Sequence, residues 1–435
     1  MLIDDNERYR EKAHRYIPSG AHTYSRTDEV FPANAPAVIS HSSGVYTWDV
    51  EGNKYLDYAM ACRSVTIGYG NERICNAAIE QILNGNTASK ASKIEVDAAE
   101  MMCNLIPWVE MVKFAKNGST VTSAAVKLSR AYTGKKYVAR CYDHSFFSYD
   151  DWFIGDTVVS RGIPQEISDL TLHFKYNDIA SLESLFREYN SQIACVILEP
   201  SENEKPKEGF LQSVRKLCDD YSALLIMDEM ITGFRWDMLG ACNYYGVIPD
   251  LVTYGKGMAN GFSVAALGGK REIMELGGNT PGEERVFLIS TTHGAEMSGL
   301  GAFCETMKIY QEEDVIGHMW KKGEILCTGL EDIAKEYGIS DHFYITGEHC
   351  SPTFWVCGKD GKPSSYYRTV FCQEMIKHKI IMPYISIAYS HKDLEIEYTL
   401  ESARKALAVL RDSLCGNVKD YIIGEPIKSV FRRFN

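Results

Sequence analysis

The chain has 435 residues, 45% of them hydrophobic and 24% charged, which is enough for a large core plus a smaller lobe and too apolar for a disordered tail. Its formal net charge of −12 argues against a protein that grips a phosphate backbone, because such proteins concentrate positive charge on one face, and the closing "KSVFRRFN" is basic but short. No apolar run approaches the ~20 residues of a membrane helix, and "MLIDDNERYREKAHRY" carries no secretory apolar region, so a soluble, cytoplasmic protein is expected.

In chain order, an N-terminal segment over 1–60 contains "IPSGAHTYSR" and "VYTWDVEGNKYLDY". After Ile106, short apolar runs bounded by turn residues alternate with helical patterns. The strand-like runs are "MVKFAK", "YVARCY", "TLHFK", "ACVILEP", "ALLIMDE", "LVTYGK", "VAALGG" and "VFLIST". "DAAEMMCNLI", "SAAVKLSRAYTG", "LQSVRKLCDDY" and "LESARKALAVLRDSL" space apolar residues near a helical period of ~3.6, and Gly134 stops the second of them. This alternation predicts an α/β fold with a mostly parallel sheet covered by helices. Helices lengthen after about Gly301, so the expected division is 1–60, a large domain over 61–305 and a smaller C-terminal domain over 306–435. The thirteen cysteines show no C-x-x-C and the histidines no zinc spacing; they read as packed thiols, and no metal site is expected.

In such folds chemistry gathers at the carboxyl ends of the strands. "FAKNGSTVTSAAVKL" sets Gly118, Ser119 and Thr120 ahead of a helix, where free N–H groups and hydroxyls suit a phosphate, although Ser119 is equally an ordinary N-cap. "ALLIMDEMITGFR" runs an apolar strand into Asp228 and Glu229, acids that suit a helix cap, a metal or catalysis. Lys256 ends the next strand, "LVTYGK", with Gly255 and Gly257 leaving room around it for a bulky adduct. An aldehyde cofactor needs an amine for a Schiff base, a fixed anion beside a pyridine nitrogen and a phosphate anchor, and Lys256, Asp228 and Gly118–Ser119 supply one each.

With those residues in order, the sequence resembles the class III aminotransferases of the fold type I pyridoxal-phosphate enzymes, nearest the glutamate-1-semialdehyde aminomutase branch. The likeness runs from "IPSGAHTYSR" through "NGSTVTSAAVKLSRAYTG", "LIMDEMITGFR" and "GKGMANG" to "IAYSHKDLEIEYTLESARKAL". It implies a seven-stranded, mostly parallel sheet in the large domain, a smaller α+β domain and pyridoxal 5′-phosphate as cofactor. Lys256 then becomes the Schiff-base lysine and proton carrier, and Asp228 the partner of the pyridinium nitrogen. Tyr142 falls where the family stacks an aromatic ring on the cofactor, with a packed core aromatic as the alternative. Gly118, Ser119 and Thr120 hold the phosphate, and Glu199 lies near the ring hydroxyl. Thr291 reaches the phosphate from the neighbouring subunit, which implies a homodimer with shared sites. A lysine near its usual pKa of ~10.4 is a poor base, so its site is expected to lower it.

Arg26 in "GAHTYSR" matches the arginine that aminomutases use for a substrate carboxylate, a surface arginine being the alternative. Arg63 stands where they carry a small neutral residue, "IIMPYISIAY" lacks their acid, and "EPSENEKPKEGF" is shorter than their glycine-containing loop. These departures favour transfer between molecules, from an amino acid such as glutamate to a small anionic or sugar-derived aldehyde or ketone, by analogy in surface-glycan synthesis. The alternatives are an aminomutase acting on glutamate-1-semialdehyde and a non-catalytic regulatory protein that binds the cofactor. A nicotinamide enzyme is disfavoured, because "YGKGMANG" spaces its glycines G-x-G-x-x-x-G and a strand-like run follows.

Overall fold

The computed structural model describes residues 4–189 and 191–434. They form two compact units, one from the chain up to Asn71 together with Val315–Arg432, the other from Glu72–Asp314. No helix among the described residues is long and apolar enough to cross a membrane.

The Glu72–Asp314 unit is built on a seven-stranded sheet. Its strands are β1 (Met111–Ala115), β2 (Tyr137–Cys141), β3 (Thr171–Phe174), β4 (Ile193–Leu198), β5 (Leu224–Glu229), β6 (Leu251–Tyr254) and β7 (Ala265–Gly269). Their spatial order is β1-β7-β6-β5-β4-β2-β3. Pairings from β6 through β3 are parallel, while β7 runs antiparallel to both β1 and β6. Every residue of β4, β5, β6 and β7 is buried, which is why these segments read as continuous apolar runs rather than alternating ones. Helices α1 (Glu72–Leu83), α2 (Lys93–Leu105), α3 (Gly118–Thr133), α4 (Phe210–Asp220) and α5 (Met297–Glu312) belong to the same unit. Gly134 closes α3 with φ 65°, a left-handed cap that a side chain would strain.

Seven of the eight strand-like runs form the sheet; "VFLIST" does not. Val286 donates its N–H to the Leu276 carbonyl, Leu288 packs on Gly277 and Phe287 is 65% exposed, so this run owes its apolar character to loop packing and joins no ladder. Nine cysteines are buried and none is bridged, in keeping with packed thiols at those positions.

The other unit carries a small sheet of Ile39–Ser43, Tyr46–Asp49, Lys54–Asp57 and Ile380–Ile381, with helices Val315–Glu336, Ser365–Lys377 and Asp393–Cys415. Just past the Lys54–Asp57 strand, four consecutive non-glycine residues take left-handed backbone: Met60, Ala61, Cys62 and Arg63, with φ of 41°, 50°, 61° and 66°. Each such residue costs about 1–2 kcal/mol, so the turn persists only because its surroundings hold it. Asp57, 6% exposed, supplies much of that hold. Its carboxylate accepts from the N–H of Ala59 at 2.7 Å and of Met60 at 3.3 Å, and from the Tyr69 hydroxyl at 2.8 Å.

Candidate active site

Successive side chains of a strand point to opposite faces, and the end of β5 uses that rule to give its two acids different work. Glu229, fully buried, turns toward the following loop and accepts from Thr232, from the Ala241 N–H at 3.0 Å and from the Cys242 N–H at 2.7 Å. Gly240 permits this, because a Cβ there would stand 2.7 Å from the Glu229 carboxyl carbon. Glu229 therefore shapes a loop. Asp228, 2% exposed, faces the other way and accepts from the Met230 N–H at 3.0 Å and the Thr253 hydroxyl at 3.1 Å. Burial pushes its carboxyl up to about 6, against the positive charge of Lys256, which pulls it down.

Lys256 reaches this position through strand register. Asp228 pairs with Thr253 across β5 and β6, and the chain leaves the sheet at Tyr254 to enter a single 3-10 turn, Lys256–Ala259. Lys256 itself sits at φ 41°, a left-handed conformation uncommon for a side chain of this kind. Gly255 is required for a reason the sequence does not disclose. A Cβ on it would lie 2.5 Å from the Met230 sulfur, and one on Gly118 would lie 3.0 Å from the same atom. Met230, 7% exposed, thus packs the lysine loop and the start of α3 around one thioether.

At that start, Asn117 caps α3 by accepting from the Thr120 N–H at 2.9 Å and the Thr120 hydroxyl at 3.1 Å. The N-cap reading of Ser119 is thereby corrected: Ser119 lies inside the first turn, 4% exposed, and its hydroxyl accepts from the Tyr149 N–H at 3.0 Å. The N–H groups of Gly118 and Ser119 are among those for which a helix has no internal acceptor.

Tyr142 follows β2 and is 58% exposed, so it is not a packed core aromatic. Its ring lies 5.1 Å from that of His173 and 5.6 Å from the Arg140 guanidinium, which Asp156 holds at 2.5 Å. Glu199 follows β4 at 3% exposure, and its N–H donates to His144 Nδ1 at 3.0 Å. That bond requires a neutral imidazole, and burial with the nearby Arg140 charge lowers His144 to about 3. Thr291 is exposed on a turn closed by the Gly294 N–H to the Thr291 carbonyl at 3.2 Å.

Residues 30–343 match the family Aminotransferase class-III. The chain belongs to the class III aminotransferases. These enzymes depend on pyridoxal phosphate. Among similar proteins, a 3-aminobutyryl-CoA aminotransferase of Cloacimonas acidaminovorans is 32% identical over 93% of this chain and 97% of its own length. A glutamate-1-semialdehyde 2,1-aminomutase of Desulforamulus reducens is 30% identical over 92% and 97%. The FumI protein of Sphingopyxis sp. MTA144, solved in a pyridoxal-phosphate form, superposes with a TM-score of 0.85 at 25% identity, over 94% of this chain and 97% of that one.

The residues fit such a cofactor: a buried carboxylate that feels the charge of one lysine, a helix start with spare N–H groups, and two glycines where a side chain would crowd the Met230 sulfur between them. Arg26 and Arg63 belong to the unit that includes the N-terminus. There Arg26 is exposed yet its charge reaches Asp57, and Arg63 is half-buried with its guanidinium 4.9 Å from the centre of the Tyr384 ring. Sequence reasoning missed Met230, Thr253 and His144. Of these only His144 left a signal, as the second residue after Tyr142 in "CYDHSFF".

Proposed function

We propose that this class III aminotransferase moves an amino group from an amino acid donor, such as glutamate, to a small anionic or sugar-derived aldehyde or ketone. Pyridoxal phosphate, when bound, supplies a carbonyl that takes up amines and a ring that draws electrons from the adjoining carbon. Lys256 is the amine that carries the cofactor and then moves a proton at the substrate carbon. Asp228 holds a proton on the ring nitrogen, a task suited to a carboxylate that burial has left in want of a cation. Gly118, Ser119 and Thr120 bind the phosphate, Tyr142 covers one face of the ring, and Glu199 lies beside the ring hydroxyl. Thr291 reaches the phosphate of a second subunit in a homodimer, the enzyme is cytoplasmic, and the large domain over 61–305 binds the cofactor. Arg26 and Arg63 take the anionic group of the substrate. Surface-glycan synthesis is the process such a carbonyl substrate suggests.

The single observation that carries this reading is the pairing of a buried Asp228 with Lys256 at the ends of adjacent parallel strands. Purified protein is expected to be yellow, and borohydride to fix the cofactor to Lys256; a peptide map with the adduct on another lysine overturns the assignment. A second reading, rearrangement of glutamate-1-semialdehyde within one molecule, has support from relatives named for that activity at 30% identity.

A further inference from the structure

The left-handed turn Met60–Arg63 has features that neither the fold nor the cofactor demands. Met60 is fully buried and pins the turn from beneath, while Asp57 ties its entry. The Arg63 N–H donates to the Ala59 carbonyl at 3.0 Å, and the Ser64 hydroxyl donates to the Ala61 carbonyl at 2.7 Å. The segment that presents Tyr384 is fastened to the same strand, since the Tyr58 N–H donates to the Ile381 carbonyl at 2.8 Å and the Ser386 N–H to the Tyr58 carbonyl at 3.0 Å. Tyr384 then meets the turn through its ring, which lies under the Arg63 guanidinium at 4.9 Å. Strained backbone that is held this firmly is a mark of a group whose direction matters.

We propose that Tyr384 is a positioning residue which, with the left-handed turn, fixes Arg63 as the group that selects an anionic substrate, a carboxylate or a phosphate. This rests on the amino-transfer reading above. A guanidinium spread over an aromatic ring keeps its N–H edge directed outward in one plane, and that fork matches the paired oxygens of either anion. A long side chain without such a platform must lose several rotamers when it binds, so the mounted arginine selects with less ordering.

The test is a set of half-reactions followed by cofactor absorbance, with three amines as probes: 4-aminobutyrate for a carboxylate, O-phosphoethanolamine for a phosphate and butylamine as the neutral reference. The wild type is expected to react with at least one anionic amine at a higher rate constant over apparent Kd than with butylamine, and the preferred one names the anion. Tyr384→Leu is expected to raise the apparent Kd for that amine roughly tenfold, with a much smaller effect on butylamine and little change in the limiting rate. Tyr384→Phe, which keeps the ring, is expected to retain the preference. Should Tyr384→Leu fail to fold, Arg63→Lys, which keeps the charge but not the flat face, is expected to give the same selective loss. Equal losses for butylamine and the anionic amine, or no wild-type preference for either anion, overturn the inference while leaving amino transfer intact. Failure of borohydride to trap cofactor on Lys256 removes the amino-transfer reading itself.

Discussion

Replacing Asp228 by asparagine is expected to act with opposite sign on the cofactor-free and the loaded protein. In the cofactor-free chain the carboxyl is held at about 6 against an ordinary 3.8, because burial outweighs the attraction of Lys256. A shift of about two units is worth about 3 kcal/mol. The sign follows from proton uptake: the folded state binds the proton more tightly, so the cost is absent below the ordinary value. It grows as pH rises through the window between the two values and is constant above the upper one. Asparagine keeps an oxygen for the Met230 N–H and the Thr253 hydroxyl but carries no charge to desolvate. Urea unfolding of cofactor-free protein is therefore expected to show the variant more stable by up to about 3 kcal/mol at pH 7.5, and by about half that at pH 5, with an unchanged denaturant slope. In the loaded enzyme the same change is expected to slow the half-reaction by orders of magnitude, because an amide does not hold a proton on the ring. A cofactor-free variant that is less stable at pH 7.5, or a stability gap that does not narrow on acidification, refutes the account of Asp228 as a carboxylate awaiting a cation.

Gly255→Ala brings a Cβ to 2.5 Å from the Met230 sulfur and is expected to lower cofactor affinity, measured by absorbance titration, and Met230→Ala in the same chain is expected to restore much of it. His144, neutral with its value lowered to about 3 from 6.5, contributes stability that is complete above 6.5 and falls as pH drops toward 3, by about 1.4 kcal/mol per pH unit. His144→Gln is accordingly expected to make the acid side of the stability curve shallower by one proton's slope in urea titrations between pH 6.5 and 5. With donor and carbonyl acceptor both supplied, keto acid is expected in equal amount to the aminated product; efficient turnover of glutamate-1-semialdehyde without a donor, and without keto acid, instead establishes the rearrangement.

The centre of the sheet was legible because β4 to β7 are buried on both faces, which turns them into uninterrupted apolar words such as "ACVILEP" or "ALLIMDE". "VFLIST" has the same spelling but packs only part of itself, Ile289 and Leu288 inward and Phe287 outward, and a linear pattern does not separate these cases. The direction of β7 was equally hidden, since "VAALGG" reads alike in either sense and only its connection to β6 makes it antiparallel. Asp228 and Lys256 were visible through their positions at strand ends. That Asp228 and Glu229 face apart also follows from strand alternation, but which of them meets the lysine is fixed by the loop that Glu229 anchors through Thr232, Ala241 and Cys242.

The turn at Met60–Arg63 was not legible at all, and the reason is physical. Left-handed backbone is ordinarily announced by glycine or asparagine, and "MACR" holds neither. Local preference there points to the right-handed region, so the observed conformation is set by partners elsewhere in the unit: Asp57 beneath, Tyr69 bonded to Asp57, and Tyr384 from a segment more than three hundred residues onward. Asp57 bears a cost of its own, since burial raises its carboxyl and the hydrogen bonds and Arg26 charge pull it back. A buried carboxylate here spends its acceptors on backbone N–H groups of a strained turn, just as Asp228 spends two of its own beside Lys256. In both places the sequence displays the cation, while the buried carboxylate and the backbone arranged around it appear only in three dimensions.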